Sequence, residues 1–161
     1  MDSQRERTLP TKIWYPADIE AAETPRTYDH GQRGYTAKNE PISAERKRYP
    51  LILLSHGTGG SNADLAWLAE ILASNGYIVA APNHWNNTAR NNLESGIVRL
   101  WDRPKDLSLI LDRLIGDQEW GQRISTQQIG AAGFSAGGFT VLGLAGAEYS
   151  IEAMRNYCNN N

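Results

Sequence analysis

The sequence predicts an α/β fold, a three-layer sandwich around a mostly parallel sheet. Three observations point there. Pro50-Leu51-Ile52-Leu53-Leu54-Ser55 and Tyr77-Ile78-Val79-Ala80-Ala81 are nearly continuous apolar runs, as suits strands covered on both faces. Segments with helical apolar spacing follow them. Gly133-Phe134-Ser135-Ala136-Gly137 stands between a short apolar segment and a helix-like one, which gives the order strand, tight turn, helix.

Taken in order, Thr11-Lys12-Ile13-Trp14-Tyr15 is rich in β-branched and aromatic residues and reads as a strand that Pro16 stops. Residues 17–46 are polar and hold Pro25, Gly31, Gly34 and Pro41, so they read as a long surface loop. The first buried strand covers 50–55. Ser61 or Asn62 can cap a helix over about 63–75, with Leu65, Leu68, Ala69 and Leu72 on one face and Asn75-Gly76 closing it. The second buried strand covers 77–81 and ends at Pro82. Residues 83–101 form an asparagine-rich loop. Pro104 suits the first turn of a helix, and Leu107, Ile110, Leu111 and Leu114 carry its stripe to about 115. Residues 128–134 form the next strand, and 136 to about 146 a helix. A short helix near 150–157 and a disordered tail at 159–161 complete one α/β domain, with no internal repeat.

The bulk properties exclude several classes. The chain has 161 residues, enough for one cored domain, and its net charge of −2 gives no basic surface for nucleic acid or an anionic membrane. No apolar stretch approaches the ~20 residues of a transmembrane helix. Met1-Asp2-Ser3-Gln4-Arg5-Glu6-Arg7 is polar, with no signal-peptide core behind it, so the chain as written stays in the cytosol. A lost export signal would instead make it secreted or periplasmic. Cys158 is the only cysteine, so it is either an ordinary thiol or half of a bridge to another chain.

Ser135 carries the chemistry. In G-x-S-x-G the serine is held on a strained turn, where strand and helix pass too close for side chains at Gly133 and Gly137. A second motif, His56-Gly57-Thr58-Gly59-Gly60, follows the first buried strand directly. Attack on an acyl carbonyl develops a negative oxygen, and two backbone N–H groups must already point at it. The residue after the serine, Ala136, supplies one, and the glycine-rich loop supplies the other, assigned here to Thr58. A dinucleotide site would need a third glycine where Asn62 stands, and a P-loop would need Gly-Lys-Ser/Thr, which is absent.

Together the two motifs resemble the α/β-hydrolase superfamily. More narrowly, the chain resembles the predicted dienelactone hydrolases related to platelet-activating-factor acetylhydrolase. Ile13-Trp14-Tyr15-Pro16, Leu53-Leu54-Ser55-His56-Gly57-Thr58-Gly59-Gly60, Ala80-Ala81-Pro82-Asn83-His84 and Gly133-Phe134-Ser135-Ala136-Gly137-Gly138 carry the resemblance, over roughly residues 8–150. It implies hydrolysis of a small ester or lactone through a Ser-His-Asp triad, with no metal and no organic cofactor. The same elbow also serves thioesterases and acyltransferases. In such families the acid and then the histidine follow the nucleophile. Here Glu148 and Glu152 are the only side-chain carboxylates after Ser135, and no histidine follows it. Against the family pattern the chain looks like the front half of an enzyme, with a truncated α/β-hydrolase fold and the acid and histidine beyond it. The alternative is a non-catalytic module that has lost its base.

Three histidines could replace that base. His30 lies in the polar loop, where a surface role is expected. His56 should fix the glycine-rich loop through ring hydrogen bonds. His84 follows a strand end, where α/β sites form, and should line the pocket. Their spacing matches no metal site. Trp101, Asp102, Arg103 and Asp106 read either as a substrate-pocket wall or lid anchor or, more plainly, as a helix start with carboxylates near its positive end and a partly buried tryptophan. Without further strands the edge of 128–134 is unpaired, which predicts self-association.

Overall fold

The computed structural model describes residues 7–18, 24–27, 33–148 and 150–160. The strands are β1 (Thr11–Trp14), β2 (Thr24–Thr27), β3 (Arg33–Thr36), β4 (Tyr49–Ser55), β5 (Ile78–Pro82), β6 (Asn87–Thr88), β7 (Asn91–Asn92) and β8 (Ile124–Gly133). The helices are α1 (Ala66–Ser74), α2 (Glu94–Val98), α3 (Arg103–Gly116), α4 (Trp120–Arg123), α5 (Ala136–Leu144) and α6 (Ile151–Asn160).

β1, β5, β4 and β8 form the main sheet in that order. β4 pairs in parallel with β5 on one side and β8 on the other, and β1 lies antiparallel on β5. From β4 the chain moves through α1 to β5, then through α3 back across β4 to β8. Right-handed crossovers in opposite directions place their helices on opposite faces. The core accordingly has two parts. Leu51, Leu53, Ile78, Ala80, Leu107, Ile110 and Leu114 pack on the α3 side. Leu54, Val79, Ala81, Ala66, Ala69 and Ala73 pack with Trp14 on the α1 side. This is the expected three-layer arrangement. The reversal at β4 also puts the C-terminal ends of β4 and β8 side by side, where α/β sheets hold ligands.

Several expectations need correction. Residues 17–46 are not all loop, because β2 and β3 pair as an antiparallel hairpin within them. The excursion leaves and returns at one point, where the Ser43 N–H donates to the Pro16 carbonyl. α1 starts at Ala66 rather than 63, after a turn in which Ser61 Oγ accepts the Ala63 N–H. The asparagine-rich loop contains the β6–β7 hairpin and α2. β8 begins four residues early, at Ile124. The tail is helical through Asn160, so residues 159 and 160 continue α6. Met1 to Glu6, His30 and Asn161 lie outside the described residues. No described helix is long and apolar enough to cross a membrane.

Candidate active site

β8 ends at Gly133, α5 begins at Ala136, and the chain reverses in the two residues between them. Ser135 sits at φ 53° and ψ −120°, a backbone region that side chains other than glycine rarely occupy. Its neighbours explain why it stays there. A Cβ on Gly133 would overlap the Gly137 carbonyl, and a Cβ on Gly137 would overlap the carbonyl of Ser55. Strand and helix therefore close on each other with nothing between, and the serine is pushed outward. It is exposed, as is Phe134 before it.

The glycine-rich loop lies against this turn. Ser55 pairs with Gly133 in the β4–β8 register, and the Phe134 N–H donates to the Ser55 carbonyl at 3.2 Å. A Cβ on Gly57 would stand 3.5 Å from that of Ser135. Three of the loop's own N–H groups have acceptors. Gly59 N–H donates to Asn87 Oδ1 at 2.8 Å, Gly60 N–H to the Gly57 carbonyl at 3.2 Å, and Asn62 N–H to Asn83 Oδ1 at 2.6 Å. Among the described residues, the N–H groups of Thr58 and Ala136 have no acceptor, and neither do those of Gly57, Ser61 and Ser135.

Beneath the loop lies a buried polar network. His56 Nδ1 contacts the Gly57 carbonyl at 2.7 Å and His56 Nε2 accepts the His84 main-chain N–H at 3.2 Å. The first contact needs a proton on Nδ1 and the second a lone pair on Nε2, so the ring is neutral. Burial lowers its pKa from the ordinary value, outweighing the bond to Gly57. His84 Nε2 contacts Ser55 Oγ at 2.9 Å, and its Nδ1 contacts Asp106 Oδ2 at 2.9 Å. The carboxylate requires Nδ1–H, which leaves Nε2 to accept the serine proton. Burial holds this imidazole well below the ordinary range, and the neighbouring Arg103 and His56 push the same way. Arg103, buried and lowered to about 10 by desolvation, donates through Nη2 to the His56 carbonyl. Asp102 accepts Arg7 Nη2 at 2.6 Å and Arg99 Nη2 at 2.9 Å.

Ser55, His84 and Asp106 thus form a serine-histidine-aspartate relay, but Ser55 is 0% exposed. No acyl carbonyl can reach its Oγ. Both ring nitrogens of His56 and of His84 are committed away from Ser135. His84 also borders a cavity of about 250 Å³ with Asn83, Trp85 and Asn91. Among the described residues, no three His, Cys, Asp or Glu side chains gather as a metal site would require.

Comparison with known proteins places this arrangement. The family model of platelet-activating factor acetylhydrolase, isoform II, matches residues 26–94. A ferulic acid esterase from Streptomyces cinnamoneus superposes with a TM-score of 0.56 at 31% identity, over 66% of this chain and 35% of that one. The chain belongs to the α/β-hydrolase superfamily. Within the superfamily it is also 30% identical over 111 residues to cutinase 2 of Thermobifida cellulosilytica and to cutinase cut1 of Thermobifida fusca. Those matches cover 68% of this chain, but only 39% and 32% of the two cutinases.

Sequence reasoning singled out the tight turn at Ser135 and the glycine-rich loop, and it missed the relay beneath them. Asp102, Arg103 and Asp106 do stand at the start of α3, with the carboxylates at its positive end, but they also belong to the buried network. All three are buried, and only Trp101 is exposed. The available signal was a polar residue at the end of each buried strand, Ser55 and His84, with Asp106 on the helix that crosses between the two sides.

Proposed function

We propose that this chain carries the nucleophile and oxyanion hole of a serine hydrolase acting on carboxylic esters or lactones of the dienelactone type. One observation carries the reading. Ser135 is exposed on a strained turn beside Gly57, and the N–H groups of Thr58 in the adjoining loop and of Ala136 at the start of α5 have no acceptor among the described residues. Cutinase and esterase relatives support ester chemistry in general.

In this reading Ser135 Oγ attacks the ester carbonyl carbon and its proton passes to a histidine. The carbonyl oxygen takes the negative charge between Thr58 N–H and Ala136 N–H. Collapse expels the alcohol, which receives that proton, and leaves an acyl group on Ser135. Water then adds to the acyl carbon, and the acid departs with the serine proton restored. His56 and His84 are not that histidine, because neither ring has a free nitrogen. The family pattern places the triad's acid and histidine after the nucleophile, and no histidine follows Ser135 here, so these residues by themselves are expected to be inactive. No step here calls for a metal or an organic cofactor.

The test is a fluorophosphonate probe on the protein isolated from its source, followed by peptide mass spectrometry. An adduct on Ser135, lost in Ser135→Ala, is the expected result. An adduct on Ser55 or another serine, or none on a folded protein, would favour the alternative of a non-catalytic α/β module.

A further inference from the structure

The Thr58 N–H belongs to the same planar unit as the Gly57 carbonyl. In a trans peptide the two point in opposite directions, so fixing the carbonyl aims the N–H. The Gly57 carbonyl is fixed twice, by the Gly60 N–H at 3.2 Å and by His56 Nδ1–H at 2.7 Å. The first bond only closes the local turn. The second ties the peptide plane to the interior.

His56 can donate to Gly57 only while its proton sits on Nδ1. The His84 main-chain N–H enforces that choice by occupying Nε2 at 3.2 Å. His84 is held in turn. Its Nδ1–H meets Asp106 Oδ2 on α3, and its Nε2 meets Ser55 Oγ at the end of β4. All four residues are at most 3% exposed. The network therefore ties α3 and the end of β5 to the peptide that carries the Thr58 N–H. A structural clamp would need none of this directionality, since any buried apolar contact would hold the strands together.

We propose that His56, His84 and Asp106 are positioning residues that aim the Thr58 N–H at the oxyanion. The inference rests on the reading of Ser135 and Thr58 given above. Losing an oxyanion donor outright costs about 10²- to 10³-fold in kcat. Misaiming one by loss of the His56 bond should cost about 10- to 100-fold, with KM little changed, because the ground-state carbonyl depends on that donor far less than the transition state does.

The experiment compares His56→Ala with His56→Asn in the intact enzyme. Asparagine places an amide N–H near the position of Nδ1 and can still donate to Gly57, whereas alanine cannot. The positioning role predicts a fall in kcat for the alanine variant and partial rescue in the asparagine variant. Affinity for a trifluoromethyl ketone, which presents an oxyanion, should fall in parallel with kcat/KM. Equal kcat in the two variants and wild type, with only thermal stability reduced, would overturn the proposal.

Nitrogen-15 NMR of the wild-type rings gives a readout that needs no variant to fold. Both rings should be neutral Nδ1–H tautomers at pH 7, and an Nε2–H tautomer at His56 would also overturn it. Failure of wild-type protein to label at Ser135 would count against the nucleophile itself. Labelling at Ser135 with unchanged kinetics in both His56 variants would count against positioning alone.

Discussion

The Cα of Gly137 lies against the carbonyl oxygen of Ser55 with no room for a methyl group between them. A Cβ there would fall well inside the 3.0 Å that real Cβ contacts respect, and the Gly133 position is closed in the same way by Gly137. The obstacle in both cases is backbone, which cannot swing aside as a side chain can. Gly137→Ala should therefore cost about 3 kcal/mol or more. Denaturant unfolding would check this. A loss below about 1 kcal/mol, within the range of an ordinary surface change, would mean that helix and strand are not held this close.

Ser135 stores strain in its positive φ. Ser135→Gly should raise stability by about 1–3 kcal/mol while abolishing fluorophosphonate labelling. Ser135→Ala should abolish labelling without that gain, since alanine is as strained as serine. Thermal unfolding of the two variants separates strain from side-chain chemistry.

The two described histidines predict how stability depends on pH. Both are lowered in the fold, His84 strongly, chiefly by burial. Below about pH 6.5 the unfolded chain binds protons that the folded one refuses. Their contribution is therefore complete above that pH and is lost as the pH falls toward the folded values, at up to about 1.4 kcal/mol per pH unit for each ring. Unfolding free energy between pH 6.5 and 5 should fall accordingly, and His84→Gln should flatten the slope. A pH-independent plateau across this window would contradict neutral buried rings.

Asp102 is buried with two arginines of different standing. Arg7 is buried beside it and stacks over Trp85 at 4.9 Å, whereas Arg99 is half exposed. Arg7→Met should cost about 3 kcal/mol, because it leaves much of a buried charge uncompensated. Arg99→Ala should cost less than about 1 kcal/mol. Urea unfolding of both variants would check the ranking.

The far edge of β8 has no strand partner among the described residues, and Ile129 on it is 38% exposed over an apolar groove lined by Leu111, Val141 and Leu144. This chain expressed alone should associate with a second copy through that edge, and Ile129→Lys should return it to monomer. Sedimentation at micromolar concentration would show it. A monodisperse wild-type monomer would count against the idea.

What was legible in the sequence follows from how local each feature is. The turn at Ser135 could be read because its glycine spacing shows within five residues, although what closes on Gly137 is Ser55 of the neighbouring strand. β4 and β5 could be read because strands buried on both faces cannot hide their apolar composition. The link from His84 to Ser55 and Asp106 could not, because it depends on strand order: only with β4 between β5 and β8, and α3 crossing beneath, do residues 55, 84 and 106 meet. Asp106 read as a helix-start carboxylate because it does stand in the first turn of α3, and its burial is a property of what packs on it. The β2–β3 hairpin and the end of α6 were missed because their polar composition matches loop as well as it matches structure.

The two edges of the main sheet differ in a way that bears on synthesis. β1 is only four residues long, carries Lys12 and sits between Pro10 and Pro16, all features that blunt an edge. β8 is ten residues long and has no charge or proline. At the pace of a ribosome, on the order of ten residues per second, β1 emerges about ten seconds before β8. The strand that must wait unpaired in the cell is the one that cannot recruit a wrong partner. The strand able to recruit one emerges last, and β4 pairs with only one of its two edges.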